Sequence, residues 1–251
     1  MSVKPLILSV ETATLQGSVS LLRGSEELAF AIGDANTSHS NTLLRDVDRV
    51  LEQSSLSLTD VELLAAAVGP GSFTGLRIGL ATIKALATTL KVPCVGIPTL
   101  HAVARAAGGS SASVALLPAG RGEVFAQLLS VSEEVVELDQ PRHLSPAEVR
   151  DRYGSREQIL WCGEGAHLQT QKISEWAAQK GIDFSEMQSD AIGAGWKLAP
   201  LEPKLAKHVG LLALLRFEQG KAVESHLLNA LYVRPSDAEL KSNVNHTTGP
   251  A

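Results

Sequence analysis

Cysteine is scarce in this 251-residue sequence: Cys94 and Cys162 are the two, each in or beside an apolar run. So few and so far apart, they exclude a disulfide framework or a CxxC metal clip and read as buried thiols in a reducing compartment. Basic charge is scarce as well, with 22 Lys and Arg against 27 Asp and Glu, a net charge of −5, and only 4% of residues aromatic. Autonomous nucleic-acid binding needs a basic surface to neutralise phosphates, so any RNA contact has to be local or supplied by a partner. Nothing approaches the roughly 20 consecutive apolar residues that span a bilayer. The short apolar run after Pro5 is too brief for a signal peptide, so a cytoplasmic chain without membrane contact is expected. Serines lack a nucleophile-elbow context, and carboxylates are scattered rather than paired at motif spacing.

What remains is an ordinary globular composition, 44% hydrophobic and 20% charged, with enough chain for a core without staples. Leu6 to Val10 is an apolar run ended by Glu11-Thr12-Ala13-Thr14. Residues 17–22 and 26–32 follow as strands around an Arg23-Gly24-Ser25 turn, and 38–52 turns helical, with Ser38 as cap and Leu43, Leu44, Val47, Val50 and Leu51 on one face. Leu63 to Val68 is continuously apolar, the sign of a strand buried on both faces. A glycine-rich turn, a helix over 73–90, a strand over 92–97 and a helix over 99–107 complete the order of a ribonuclease H-like lobe. Gly108-Gly109-Ser110-Ser111 marks a boundary. Beyond it strands at 113–117, 123–131 and 134–138, a helix at 145–153, a strand at 158–162 and a helix at 167–180 repeat the coarse order. The predicted organisation is an α/β chain with a first lobe over 1–108 and a smaller second lobe over 109–235. Its last helix, 203–220, is free to pack back on the first lobe, 229–234 form a final extended piece, and 236–251 form a loose tail.

Gly69-Pro70-Gly71-Ser72-Phe73-Thr74-Gly75-Leu76-Arg77 is the most informative stretch. Its GxGxxxG spacing is neither the dinucleotide GxGxxG nor a P-loop. Two readings stand: a tight strand-to-helix turn capped by Ser72, or an anion site on helix amides. In the helix that follows, Phe73, Leu76, Leu80, Ile83, Ala87 and Leu90 form an apolar stripe for the sheet. Gly75, Gly79, Thr82 and Leu86 form a second, flatter face. Interior helix glycines cost roughly 1 kcal/mol each against alanine, so they need a packing reason: a neighbouring helix of the same lobe or one from another subunit.

The block from Gly69 to Leu86, GPGSFTGLRIGLATIKAL, resembles the signature of the TsaB (YeaZ) family. Leu8 to Thr14, Val92 to Leu100, Gly122 to Phe125 and Ala230 to Arg234 are similar to further family segments. The resemblance implies an actin-like ATPase fold of two ribonuclease H-like lobes. It implies a non-catalytic scaffold and activator in the complex that moves threonylcarbamoyl from its adenylate onto the adenosine beside the anticodon of tRNA. The implied partners are a TsaD-like catalytic subunit and a TsaE-like ATPase, with tRNA reached only through the complex. ATP and a divalent metal are then expected on those partners and no cofactor on this chain, while homodimer and monomer both stay open for the chain alone. Leu43, Val47, Gly75, Gly79, Thr82 and Leu86 are the expected partner interface, a junction between the helices 38–52 and 73–90 and their counterparts.

Departures from the family pattern matter. Pro118-Ala119-Gly120 replaces its Asp-Ala-Arg, and Glu11 its Asp. Glu11 and Thr12, where this fold class places phosphate and metal contacts, are expected to be a vestigial nucleotide site at most, with Glu11 as a hydrogen-bonded turn residue the plainer reading. The catalytic paralog's HxxxH metal pair falls here on Thr99 and Val103, which cannot ligate as histidines do. His101 stands out of register, expected at the surface or as a cap, and His39 has a helix-start role. A free-standing kinase or transferase of the same fold and a metallopeptidase are the rival readings, and each lacks its motif.

Overall fold

The structure is a computed structural model that describes residues 4–187 and 194–233. The expected tail from Ser236 and the end of the last extended piece, Arg234, lie outside the described residues.

The chain runs β1 (Leu6–Glu11), β2 (Ser18–Arg23), β3 (Glu26–Ile32), α1 (His39–Gln53), β4 (Leu63–Gly69), α2 (Phe73–Leu90), β5 (Cys94–Pro98) and α3 (Thr99–Ala106). It continues with β6 (Ser110–Gly120), β7 (Glu123–Val131), β8 (Val135–Glu137), β9 (Arg142–Leu144), α4 (Pro146–Tyr153) and β10 (Ile159–Cys162). Last come α5 (Glu164–Leu168), α6 (Thr170–Gln179), β11 (Phe184–Glu186), β12 (Trp196–Leu198) and α7 (Leu205–Glu218).

Two sheets result, ordered β3-β2-β1-β4-β5 and β11-β12-β10-β6-β7-β8, with β9 on β7. Each contains the same plan: a central strand paired antiparallel to the next strand of its meander and parallel to a later one, as β1 is to β2 and β4, and β6 to β7 and β10. The two lobes are ribonuclease H-like units of an actin-like fold. β4 is apolar throughout because helices cover both of its faces, and all seven of its residues are buried.

Side-chain alternation splits the first sheet into two cores. Leu6, Leu8, Val10, Leu64 and Ala66 meet Leu43, Val47 and Val50 of α1 and Leu80 and Ile83 of α2. Ile7, Leu63, Ala65, Val95 and Ile97 meet Ala102 of α3 and Val209, Leu212 and Ala213 of α7. The second sheet buries Val114, Leu116 and Trp161 under α4 and α6 on its outer face. Its inner face packs Ala115, Leu117 and Leu160 against Leu100 and Val103 of α3 and Leu205 of α7. Thus α3 and α7 lie between the sheets and serve both. The last helix packs on the first sheet, where Ser9 Oγ donates to Ala206 O at 2.8 Å and the Ala206 N–H donates to Ser18 Oγ at 2.9 Å.

After α7 the chain stays with the first sheet. Cys94 and Val223 exchange backbone hydrogen bonds, the Leu231 N–H donates to Val68 O at 2.7 Å, and Leu228 is buried among the α1 and α2 contacts. Within the described residues no helix is long and apolar enough to cross a membrane.

Three expectations need correction. Leu44 is 61% exposed and stands off the buried face of α1. Ser38 occupies the cap position of α1 but makes no side-chain cap. The helix expected over 167–180 is two helices, α5 and α6, meeting at Gln169. The short strands β9, β11 and β12 have too few residues to show a period and were not foreseen.

Candidate functional site

The turn after β1 is built from its own side chains. Glu11 is buried, and its carboxylate accepts from the Thr14 N–H at 2.8 Å and the Thr14 hydroxyl at 2.7 Å. Burial pushes its pKa up, and the Thr14 and Ala13 hydrogen bonds oppose that. Thr12 donates its hydroxyl to Gly75 O at 2.8 Å, and His39 Nε2 lies 3.0 Å from Thr14 O. Neither Glu11 nor Thr12 faces open space: both are consumed in fixing this turn against α2.

The signature turn completes that contact. The Ser72 N–H donates to Ala13 O at 2.7 Å, Ser72 Oγ accepts from the Gly75 N–H at 3.2 Å, and the Gly69 N–H donates to Thr99 Oγ1 at 3.1 Å. Three amides of this segment are therefore satisfied by protein oxygens, as the tight-turn reading requires. Gly69 has φ +116°, and a β-carbon there would stand 2.5 Å from Leu231 O, so the last extended segment can lie on the turn only because residue 69 has no side chain.

The helix glycines have an internal reason. A β-carbon on Gly75 would sit 1.9 Å from Thr12 O, and one on Gly79 2.2 Å from Thr12 Oγ1. The closest approach is by Thr12 of the β1 turn in the same lobe, with His39 at the start of α1 next to Gly75. Gly75 and Gly79 are buried, as are Leu43 and Val47, which face the sheet. In the chain alone these four are buried within the lobe, while Thr82 and Leu86 are half-buried on α2.

Between the lobes lies a cavity of about 400 Å³. Its walls are Ala13 to Leu15, the signature residues Pro70 to Phe73 with Leu76, and Leu117 to Gly120 with Phe125 from the β6–β7 hairpin. Glu164 at the start of α5 and the segment Leu231 to Val233 close it. Tyr232 rests on Phe73 with ring centroids 5.2 Å apart, and the Arg77 guanidinium covers Phe73 at 3.8 Å. Thr74, also of the signature, is exposed. A second cavity of about 210 Å³ adjoins the first and shares Thr14, Leu15, Leu117 and Glu164.

Phe125, Leu117 and Glu164 were not foreseen as cleft residues. The signal was present for Glu164: a strand ending in Gly163-Glu164-Gly165, with Gly163 at φ +88°. The fold class implies a nucleotide between such lobes, and a polyphosphate there needs cationic or N–H donors. The described lining of both cavities contains no Lys or Arg and does include carboxylates, Glu164 and Glu202. Pro118, Ala119 and Gly120 offer no side-chain donor. These residues do not fit a polyphosphate.

Thr99 and Val103 are buried, the first in the Gly69 hydrogen bond, the second against Gly163. His101 is buried too, a correction, with Nε2 3.0 Å from Glu137 Oε1 on β8. Both cysteines are buried, and burial raises their pKa values, that of Cys162 to about 12. Among the described residues no group of three or more His, Cys, Asp or Glu is placed to hold a metal ion.

Comparison with known proteins gives a consistent set of relatives. The family model described as TsaD, tRNA N6-adenosine threonylcarbamoyltransferase, matches residues 33–204. The chain is 37% identical to the tRNA threonylcarbamoyladenosine biosynthesis protein TsaB of Escherichia coli K12 over 123 residues, which is 47% of this chain and 52% of that protein. It is 26% identical to TsaB of Bacillus subtilis 168 over 94% of this chain and 96% of that one. In structure it is similar to YeaZ from Pseudomonas aeruginosa, with a TM-score of 0.71 at 23% identity over 91% of this chain and 99% of that chain.

Proposed function

Because the chain belongs to the TsaD-type family, and within it to the TsaB (YeaZ) group, we propose that it acts in tRNA threonylcarbamoyladenosine biosynthesis as a non-catalytic subunit that holds and activates a TsaD-like catalytic partner. The observation that carries this reading is the use made of positions 99 and 103. Where the catalytic paralog has two histidines four apart, this chain has a hydroxyl bonded to Gly69 and a valine packed on Gly163. Imidazoles at those places would have to displace core contacts. ATP and a divalent metal are then carried by the TsaD-like and TsaE-like partners, and tRNA is reached through the complex, in keeping with the net charge of −5.

Pairing through α1 and α2 uses their outward faces in this proposal: Leu44 on α1, 61% exposed, and the half-buried Thr82 and Leu86 on α2. An exposed leucine is what a partner helix can cover at low desolvation cost. The test is to mix the chain with its TsaD-like paralog and follow association by sedimentation. Leu44→Glu should leave circular dichroism unchanged and weaken association at least about tenfold, roughly 1.4 kcal/mol. The purified chain alone should neither hydrolyse ATP nor modify tRNA. Unchanged association of the variant would move the interface elsewhere, and metal-dependent turnover by the pure chain would overturn the non-catalytic role.

A further inference from the structure

We infer that the cleft between the lobes is a binding site for a small organic cation, an ammonium group carried on an apolar or aromatic body. The larger cavity, about 400 Å³, is of the size that holds small ligands. Its surfaces are largely hydrocarbon and aromatic, with Phe125 and Tyr232 contributing rings beside Phe73, whose own face is already covered by Arg77. Such walls take an apolar body, and ring faces attract positive charge.

The polar character of the cleft is one-sided. Glu164 lies on the wall common to both cavities and has no salt-bridge or hydrogen-bond partner among the described residues. It is the first residue of α5, held there by Gly163, where a β-carbon would meet Leu116 O at 2.5 Å and Val103 Cγ1 at 2.7 Å. The backbone of residue 164 is thus placed beside the cavities by a conformation that glycine permits. An unpaired carboxylate in a half-enclosed apolar site is complemented by a cationic donor, whose charge-assisted hydrogen bond is among the stronger ones available. An anion would meet Glu164, while the Arg77 guanidinium is engaged on the Phe73 ring and no Lys or Arg lines either cavity among the described residues.

This inference concerns the isolated chain and does not depend on the pairing proposed above. Calorimetric titration of the full chain with one aryl body in three charge states tests it: 2-phenylethylamine as cation, 2-phenylethanol as neutral analogue and 3-phenylpropionate as anion, with Mg-ATP alongside. The amine should bind at least about tenfold more tightly than the alcohol, and neither the anion nor Mg-ATP should bind. Glu164→Gln should bring the amine down to the alcohol's affinity and leave the alcohol unchanged. Glu164→Lys should reverse the order in favour of 3-phenylpropionate. Equal affinity for all three aryl compounds, binding of Mg-ATP, or no binding of the amine at millimolar concentration would overturn the inference, and so would an amine preference that survives Glu164→Gln.

Discussion

Gly79 lies in the middle of α2, where glycine costs helix stability, yet an added β-carbon would stand 2.2 Å from Thr12 Oγ1. Alanine propensity and steric fit therefore oppose each other at one residue. A contact that short cannot be absorbed without moving the turn or the helix, and overpacking of this kind costs about 1–3 kcal/mol, more than the helix propensity returns. Gly79→Ala should lower stability to urea. The same change in a Thr12→Ala background should cost less, because the remaining Thr12 contacts are at 3.4 Å or beyond. A double-mutant cycle by urea unfolding measures the difference, and additivity would mean that Thr12 is not what excludes the methyl group. The sequence announces that Gly75 and Gly79 need a close neighbour. It cannot say which one, because Thr12 is 63 residues away from Gly75 and is brought there by parallel pairing of β1 and β4.

At the scale of elements, the long ones were legible and the short ones were not. β4 and α2 announce themselves by a continuous apolar run and a 3.6-residue stripe, and both appear within a residue of their expected limits. β11 and β12 span three residues each and exist by pairing, β12 with β10 and β11 with β12. The cleft was partly legible: its signature turn is a motif, whereas Phe125 and Glu164 reach it only through the facing of two lobes. Helix α7 shows what burial between sheets does to a titrating group. His208 lies near Glu202, Lys207, Arg105 and Glu27, and its Nδ1 has no partner. Burial lowers its pKa from 6.5 to about 4, with Glu202 opposing. The unfolded chain therefore binds this proton more readily than the folded one. The neutral imidazole is accommodated above pH 6.5, and stability is lost as pH falls from there toward 4, by up to about 3 kcal/mol. Burial depresses His101 in the same direction, despite Glu137. His208→Gln should remove its share, so urea midpoints of variant and parent should diverge in the variant's favour between pH 6.5 and 4.5. A constant difference across that range would place the imidazole in water.

At the scale of the whole molecule, the described residues form two sheets with no clean division of the chain between them. α3 follows the first sheet in sequence and supplies Leu100, Val103 and Ala104 to the core of the second. α7 follows the second sheet and supplies Val209, Leu212 and Ala213 to the core of the first. Arg216 of α7 donates to Gly96 O of β5 at 2.7 Å, and the segment after α7 adds the Cys94–Val223 and Leu231–Val68 hydrogen bonds. Unfolding either lobe alone would strip a helix from the other's core, so the two should unfold together. All three tryptophans, Trp161, Trp176 and Trp196, belong to the outer core of the second sheet, with ring centroids 5.3 Å apart for Trp161 and Trp196 and 6.5 Å for Trp161 and Trp176. Fluorescence consequently reports the second lobe, and far-UV circular dichroism reports both. Urea titrations followed by the two probes should superimpose in a single transition, the mark of all-or-none unfolding. A change confined to the first sheet sharpens the test. Val95→Ala opens a cavity beside β5, far from every tryptophan in the sequence of contacts, at a cost of about 1–3 kcal/mol. The fluorescence midpoint should shift as far as the dichroism midpoint. A fluorescence curve that stays where it was while the dichroism splits into two steps would show that the exchanged helices do not couple the lobes.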